Sequence, residues 1–329
     1  MKVLVIGVGS IGERHVRCLQ RTRRTQVAIC EINAELRQAV ADRYGLDEVY
    51  AQLDDAMQGC FDAVVICTPA HLHVDMATQL AARGIHLLIE KPLSTKLDGV
   101  EQLCELVRRN EIVAMVAYVY RSHPAVGAMR QAIRSGRFGR PVQIVSQGGQ
   151  HFPTYRPAYR EVYYTDRATG GGAIQDALTH VINTGQWLVG SIDCVASDAA
   201  HQVLEGVQVE DTVHVIARHG SVLGSYSLNQ YQAPNEGTIT VVCDAGTVRF
   251  ESHQNRWRWM TEPGGQWHDE PTQKLERDDL FLIQSSQFLD VLEGRAEPPC
   301  TLDAAVETLR VNLAILAAAE QKQWVDGGR

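Results

Sequence analysis

The feature that most restricts how this chain can fold is Gly7-Val8-Gly9-Ser10-Ile11-Gly12. It directly follows the apolar run from Val3 to Ile6 and precedes a segment in which Ile11, Val16 and Leu19 recur on one side. A strand, three glycines in this spacing and a helix form a recognisable unit. The first glycine permits a tight turn, the second lets backbone approach a pyrophosphate, and the third lets helix and strand pack closely. The helix N-terminus then offers unpaired N–H groups and a partial positive charge to phosphate oxygens. The alternative is a plain strand-to-helix turn, and the flanking strand and helix weigh against it. Gly7, Gly9, Ser10, Ile11 and Gly12 are therefore dinucleotide-binding candidates.

The alternation continues from there. Apolar runs at 26–30, 62–67, 85–89 and 112–118 read as strands, with helical spacing at 34–44, 73–83 and 97–109 between them. The strands are continuous apolar runs, as a parallel sheet covered on both faces requires. After Pro124 the pattern changes. Helices are expected at 126–135 and 173–189, and strands at 142–147, 209–218, 221–231, 238–243, 247–251 and 256–260. Several of these alternate, as in Val213-His214-Val215-Ile216, which fits an antiparallel sheet with one covered face. Asp244-Ala245-Gly246 reads as a hairpin turn. Residues 263–265 and 269–279 read as polar surface loops. Two helices close the chain, and Val306, Leu309, Leu313 and Leu316 give the last one a core face. The expected class is α/β: an N-terminal dinucleotide-binding domain over 1–121, and a second α/β domain, with a mostly antiparallel sheet, over 122–329.

Composition removes several function classes. At 329 residues the chain exceeds the ~250–300 at which single cores stop growing, in keeping with two domains. A net charge of −8 argues against a nucleic-acid surface. No apolar run approaches the ~18 residues of a spanning helix, and Gly7 interrupts the start too early for a secretory signal. No membrane partner is expected. Eight cysteines form no C-x-x-C pair, so a reducing cytoplasm is the simplest compartment. No metal site is expected: the twelve His include no H-E-x-x-H, and His71-x-His73 falls at a loop-to-helix junction.

Further candidates sit where strands end. Glu31 closes the second strand about 20 residues past Gly12, where a carboxylate accepts from both ribose hydroxyls of NAD and repels the 2′-phosphate of NADP. The bland reading is a solvated acid, and Arg23 and Arg24 nearby in sequence weaken the preference, so NADP stays the alternative. Cys67-Thr68-Pro69-Ala70-His71-Leu72-His73 and Glu90-Lys91-Pro92-Leu93 follow two more strands, at the end of a parallel sheet where ligands bind. Cys67, Thr68, Pro69, His71, His73, Glu90 and Lys91 are cofactor-binding candidates, with structural turns and a surface lysine as the alternatives. Gly170-Gly171-Gly172 leads into a helix carrying Asp176 and His180, four apart on one face. Such a pair holds an imidazole in one tautomer or sets an acid beside a base; a surface ion pair is the competing reading.

Together these residues resemble the glucose–fructose oxidoreductase / inositol dehydrogenase / MocA (Gfo/Idh/MocA) family. The matches are Gly-Val-Gly-Ser-Ile-Gly with Glu-Arg-His15, then Thr68-Pro69 with His73, Glu90-Lys91-Pro92, and Gly-Gly-Gly-x-x-x-Asp176-x-x-x-His180, in order over nearly the whole chain. The resemblance implies a Rossmann domain, a second domain with a large open sheet, and hydride transfer between nicotinamide and a hydroxyl or carbonyl carbon of a sugar or cyclitol. It implies that Lys91 polarises the reacting oxygen, that His180 is the general base, and that Asp176 positions substrate or tunes the base. It also implies a cis bond before Pro92 and a homodimer or homotetramer through the open sheet. One departure is visible: the family commonly carries Asp where this chain has Asn183, and an amide there weakens the negative field around His180.

Tyr155, Arg156, Tyr159, Arg160, Tyr163, Tyr164 and Arg167 precede the glycine run, and Tyr118, Arg121 and His123 follow the last parallel strand. Arg forks bind phosphate or carboxylate and Tyr hydroxyls bind polyols, so Tyr118, Arg121, Tyr155 and Arg156 join Lys91, Asp176 and His180 as substrate-binding candidates. Subunit contact is the equal alternative for the Tyr/Arg stretch. Two rival functions stand beside a dehydrogenase. One is tightly held NAD recycled in an epimerase, glycosidase or sugar–sugar oxidoreductase. The other is a non-enzymatic sensor of cofactor or sugar, which has no need of Lys91, Asp176 and His180 together.

Overall fold

The computed structural model describes residues 1–328. The chain forms two compact units: Met1–Ser122 with Glu276–Ala305, and His123–Leu275 with the residues from Val306 on. Residues 276–305, expected from sequence in the second domain, thus belong to the first unit.

The first unit begins β1 (Lys2–Ile6), α1 (Ser10–Arg21), β2 (Gln26–Cys30), α2 (Ala34–Tyr44), β3 (Val49–Tyr50) and α3 (Leu53–Ala56). It continues with β4 (Ala63–Ile66), α4 (His73–Ala81), β5 (His86–Ile89), α5 (Val100–Arg109) and β6 (Ala114–Val116). The six strands lie in the order β3-β2-β1-β4-β5-β6, every pair parallel. The order reverses between β1 and β4, and in such sheets the crevice outside the strand ends at the reversal is the binding place. Val3, Val5, Ile29, Val65 and Leu88 lie in one buried cluster beneath the helices. β3 has two residues, too few for any hydrophobic period to reveal. Asn33 caps α2 by accepting from the Leu36 N–H, and Gly45 ends it at φ 61°, as a left-handed cap requires.

The second unit contains α6 (Pro124–Arg134), β7 (Pro141–Gly149), α7 (Phe152–Tyr155), and a π turn, Ile174–Leu178, that runs into α8 (Thr179–Val189). Next come β8 (Cys194–Ala200), β9 (Thr212–His219), β10 (Val222–Asn229), β11 (Glu236–Cys243), β12 (Gly246–Glu251), β13 (Arg256–Met260) and β14 (His268–Asp269). The chain closes with α9 (Asp279–Leu292), α10 (Leu302–Gln321) and β15 (Val325–Asp326). The nine-stranded sheet runs β14-β13-β12-β11-β7-β10-β9-β8-β15. All its pairs are antiparallel except β7 with β10. Along β9 the side chains alternate: Val213, Val215 and Ala217 are buried, while His214, Ile216 and Arg218 are exposed. The inner face packs with Met129, Ile133, Ile182 and Ile315 of the helices. The outer face leaves Ile216 and Leu223 exposed on adjoining strands.

α9 explains the return of the chain to the first unit. Its Phe288 and Val291 are buried with Val16 and Leu19 of α1. Asp278, just before it, pairs with Arg17 at 2.6 Å and with Arg14 at 3.4 Å. Burying one phenylalanine contributes about 1.5–3 kcal/mol, more than exposed ion pairs do. The polar run 269–279 ends where α9 begins, at Asp279, the first of the two closing helices. No helix among the described residues is long and apolar enough to cross a membrane.

Candidate active site

The glycine loop leaves β1 at Gly7, whose N–H donates to Cys30 O at 2.8 Å and whose φ is +79°. A Cβ on Gly12 would stand 1.8 Å from Gly7 O, so no side chain fits between helix and loop. Gly9 is different: a Cβ there would meet nothing within 4 Å. The protein itself has room at Gly9, and a side chain would occupy the approach to the loop's backbone. α1 also begins without a side-chain cap, unlike α2. An uncapped helix start beside a bare glycine suits a dinucleotide pyrophosphate.

Glu31 is braced by two backbone amides: Oε2 accepts from Val8 N and Oε1 from Asn33 N, both at 2.9 Å. The carboxylate is thereby fixed beside the glycine loop, and each oxygen keeps a lone pair for a ribose hydroxyl. Arg24, which from sequence seemed able to favour a 2′-phosphate, pairs instead with Asp290 at 3.0 Å and Glu293 at 2.9 Å.

The loops after β4 and β5 are tied together from beneath. His73 is buried, with Nε2 2.7 Å from Thr68 O and Nδ1 3.0 Å from Pro92 O. Burial pushes its pKa below the ordinary histidine value, against the pull of those two carbonyls. Both ring nitrogens face backbone carbonyls, and the ring links the two loops. Glu90 is also buried, its Oε1 bonded to His15 Nε2 at 2.8 Å and its Oε2 accepting from Lys91 N at 3.0 Å. Burial opposes its ionisation, but the His15 hydrogen bond and the charges of His15 and Lys91 outweigh it and hold the carboxyl below the usual range. The carboxylate braces the turn into Lys91 against α1. His15, quoted from sequence only as part of a motif, proves to be the partner of Glu90. Lys91 follows, half-buried, with a cis bond to Pro92. Cys67 stays a thiol, its pKa raised by burial and then by Glu90. Thr68 is partly buried and directs its hydroxyl at Met76 Sδ, 3.6 Å away; Pro69 is exposed and His71 partly buried.

In the second unit the glycine run is shaped by its neighbours. A Cβ on Gly171 would lie 2.2 Å from Tyr164 O, and one on Gly172, at φ +92°, would lie 2.4 Å from Glu210 Oε1. Glu210, itself buried, accepts from Ile174 N at 3.2 Å and from Arg167 Nε at 2.8 Å. Asp176 sits in the π turn, 2% exposed, and its Oδ1 accepts from Tyr163 Oη at 2.7 Å. Single π turns recur at functional sites because they re-aim side chains within a helix. His180 follows at the start of α8, partly buried. Asn183 is fully buried and donates to Thr308 Oγ1 at 2.9 Å, while Thr308 donates to Gln186 Oε1 at 2.8 Å. The amide expected to alter the field around His180 thus serves as a neutral tie between α8 and α10, where a carboxylate would be a buried charge.

Other sequence candidates fall elsewhere. Tyr118 is 1% exposed, part of the first unit's interior. Arg121 donates to Pro299 O at 3.2 Å, committing at least one guanidinium nitrogen to backbone. Tyr155 and Arg156 are exposed, the guanidinium lying over Phe152. Tyr159 and Tyr164 belong to a small core with Phe152, Leu204, Val207 and Val209. Glu210 is the residue at this place that sequence reasoning missed, since its partners Arg167 and Ile174 are distant in sequence; Tyr163 stood in the Tyr/Arg stretch with nothing to single it out.

A reversed parallel sheet, a three-glycine turn into an uncapped helix and a braced acid at the second strand define a nicotinamide-dinucleotide-dependent oxidoreductase. The chain belongs to the Gfo/Idh/MocA family. Residues 1–118 match the family's NAD-binding Rossmann fold, and residues 126–249 match its C-terminal domain. Levoglucosan dehydrogenase of Pseudarthrobacter phenanthrenivorans is 31% identical over 91% of this chain and 88% of its own length. 1,5-Anhydro-D-fructose reductase of Ensifer adhaerens is 25% identical over 97% of this chain and 96% of its own. Among solved structures, levoglucosan dehydrogenase in complex with NADH and levoglucosan shares the fold at a TM-score of 0.90 and 22% identity, covering 100% of both chains. The WlbA dehydrogenase of Bordetella pertussis in complex with NADH and UDP-GlcNAcA does so at 0.86 and 24% identity, over 99% of this chain and 97% of that one. The chain is an NAD-dependent enzyme acting on CH–OH groups.

Proposed function

We propose that this enzyme oxidises a hydroxyl carbon, or reduces the matching carbonyl, of a sugar, cyclitol or sugar derivative, with Lys91, Asp176 and His180 serving the reacting oxygen. The observation that supports this most is the full-length likeness to a sugar dehydrogenase. When bound, NAD accepts the hydride. The chain's own residues do the rest. The glycine loop and the start of α1 hold the pyrophosphate. Glu31 accepts from ribose hydroxyls. The Lys91 ammonium stabilises negative charge on the substrate oxygen, the kind of preorganised electrostatic help that is often the largest catalytic contribution. The His180 imidazole takes the hydroxyl proton, a role that a neutral imidazole can fill. Asp176 orients the base or the substrate.

A screen of sugars, inositols and sugar phosphates, followed by reduced-cofactor absorbance with NAD and NADP in parallel, identifies the substrate. Lys91→Ala lowers kcat by about two orders of magnitude or more while cofactor binding survives, and near-normal turnover refutes the role given to Lys91. His180→Ala removes the basic group from the pH–rate profile, and an unaltered profile refutes the role of His180.

The exposed outer face of the nine-stranded sheet supports a homodimer or homotetramer, with Ile216 and Leu223 covered by a second copy. Leu223→Glu then yields monomers in light scattering, and an unchanged mass refutes that interface. Eight cysteines with no C-x-x-C pair among them support a cytoplasmic location.

A further inference from the structure

We propose that Tyr163 is a positioning residue: its phenol holds the Asp176 carboxylate in the orientation the reaction needs. This rests on the assignment of Asp176 to the substrate site made above. The two side chains are an unusual pair. Asp176 is 2% exposed and Tyr163 is 39% exposed, yet Tyr163 Oη donates to Asp176 Oδ1 at 2.7 Å. A buried carboxylate stays ionised only among donors, and a phenol at this distance makes a charge-assisted bond.

The backbone that carries Tyr163 is locked, so the phenol is delivered to one place. Thr169 Oγ1 donates to Tyr163 O at 2.6 Å, and Gly171 N donates to Asp166 O at 2.8 Å. Gln175 Nε2 donates to Arg167 O at 2.9 Å, and Arg167 is bound to Glu210, which also receives Ile174 N. The segment is therefore stitched to the same turn of helix that bears Asp176. Tyr159 and Tyr164 belong to the small core, where Tyr164 Oη donates to Gln230 Oε1, while Tyr163 Oη is directed to the carboxylate.

Tyr164 shares its electrostatic surroundings with Asp176, Glu210 and Asp211, and His180 lies one turn on along the helix. Tyr164 stays protonated, its pKa raised by burial first and then by Asp176, Glu210 and Asp211. Arg167 is paired with Glu210 and Glu320. Removing the Tyr163 hydroxyl withdraws a donor from the charged form of Asp176, and so favours its protonation.

The test uses the full chain and Tyr163→Phe, which keeps the ring. In cofactor-free protein with 13C-labelled aspartate, the carboxyl signal missing from Asp176→Asn reports Asp176. Its titration midpoint moves to higher pH in Tyr163→Phe. With the sugar the wild-type enzyme oxidises fastest, Tyr163→Phe lowers kcat about tenfold and moves the acid limb of kcat/KM to higher pH, as loss of one hydrogen bond to a charged group predicts. The double variant is no slower than Asp176→Asn alone. A silent midpoint in Tyr163→Phe beside a crippled Asp176→Asn overturns the positioning role alone. Normal turnover of Asp176→Asn overturns the assignment of Asp176, and the positioning role with it.

Discussion

The two units carry their candidate residues on opposite principles. In the first unit the glycine loop and the loops after β4 and β5 present mainly backbone. Their side chains, His15, His73 and Glu90, are buried underneath as braces. In the second unit the turn bearing Asp176 presents side chains, and the backbone beneath it is shaped by Glu210, Gly171 and Gly172. A pyrophosphate is the same in every dinucleotide, so a fixed backbone cradle serves it. A substrate hydroxyl is read by particular side chains, whose setting is assembled from distant parts of the chain.

The sharpest way to break this contrast lies within the glycine loop. Gly12→Ala, with its Cβ 1.8 Å from Gly7 O, destabilises the first unit by about 3 kcal/mol in chemical denaturation and abolishes NAD binding. Gly9→Ala, with open space around its Cβ, leaves stability within about 0.5 kcal/mol but weakens NAD binding at least about tenfold in calorimetry. If both variants bind NAD normally, the loop is not a backbone cradle.

An effect of similar size is read by pH in the second unit. Burial pushes buried His123 of the second unit down to about 4. An unfolded chain binds that proton near the ordinary value of about 6.5. Between these values the unfolded state holds more protons, so stability present above about pH 6.5 is lost as pH falls toward 4, by about 3 kcal/mol at most. All five tryptophans lie in the second unit, so their fluorescence follows this loss directly. His123→Gln flattens the dependence in that window; an unchanged slope assigns the loss to other groups.

A smaller effect tests the acid at β2. Glu31→Ser removes both a ribose acceptor and the repulsion of a 2′-phosphate, and raises the ratio of NADP to NAD kcat/KM about tenfold. Overall activity falls as well, because Val8 N loses its partner; the ratio is the measurement that decides.

The same contrast explains what could be read from the sequence. Gly7, Gly9 and Gly12 announce themselves, because a backbone task constrains residue type at fixed spacing. The parallel strands do so as well, because burial on both faces demands continuous apolar runs. β3 and β14 have two residues each, and β8, with Ser197 and Asp198 inside it, carries no clean alternation. The Asp176–His180 spacing was visible along one helix, whereas its π turn was not, because it depends on ties to Glu210 and Arg167. His73 and Glu90 stand out in the motifs, but their partners Thr68 O, Pro92 O and His15 do not, because a motif does not reveal on which side of the backbone a ring lies. Asn183 looked like an electrostatic change until Thr308, 125 positions away, supplied its partner.

The return of residues 276–305 to the first unit has a consequence for how the protein is made. When residue 122 leaves the ribosome, every parallel strand has been synthesised, but Phe288 and Val291, which complete the interior against α1, have not. The N-terminal lobe therefore waits, incompletely closed, while some 150 residues of the other lobe are translated. A fragment cut at residue 122 keeps the glycine loop but bares the apolar side of α1, and it is the piece of this protein most exposed to chaperone capture.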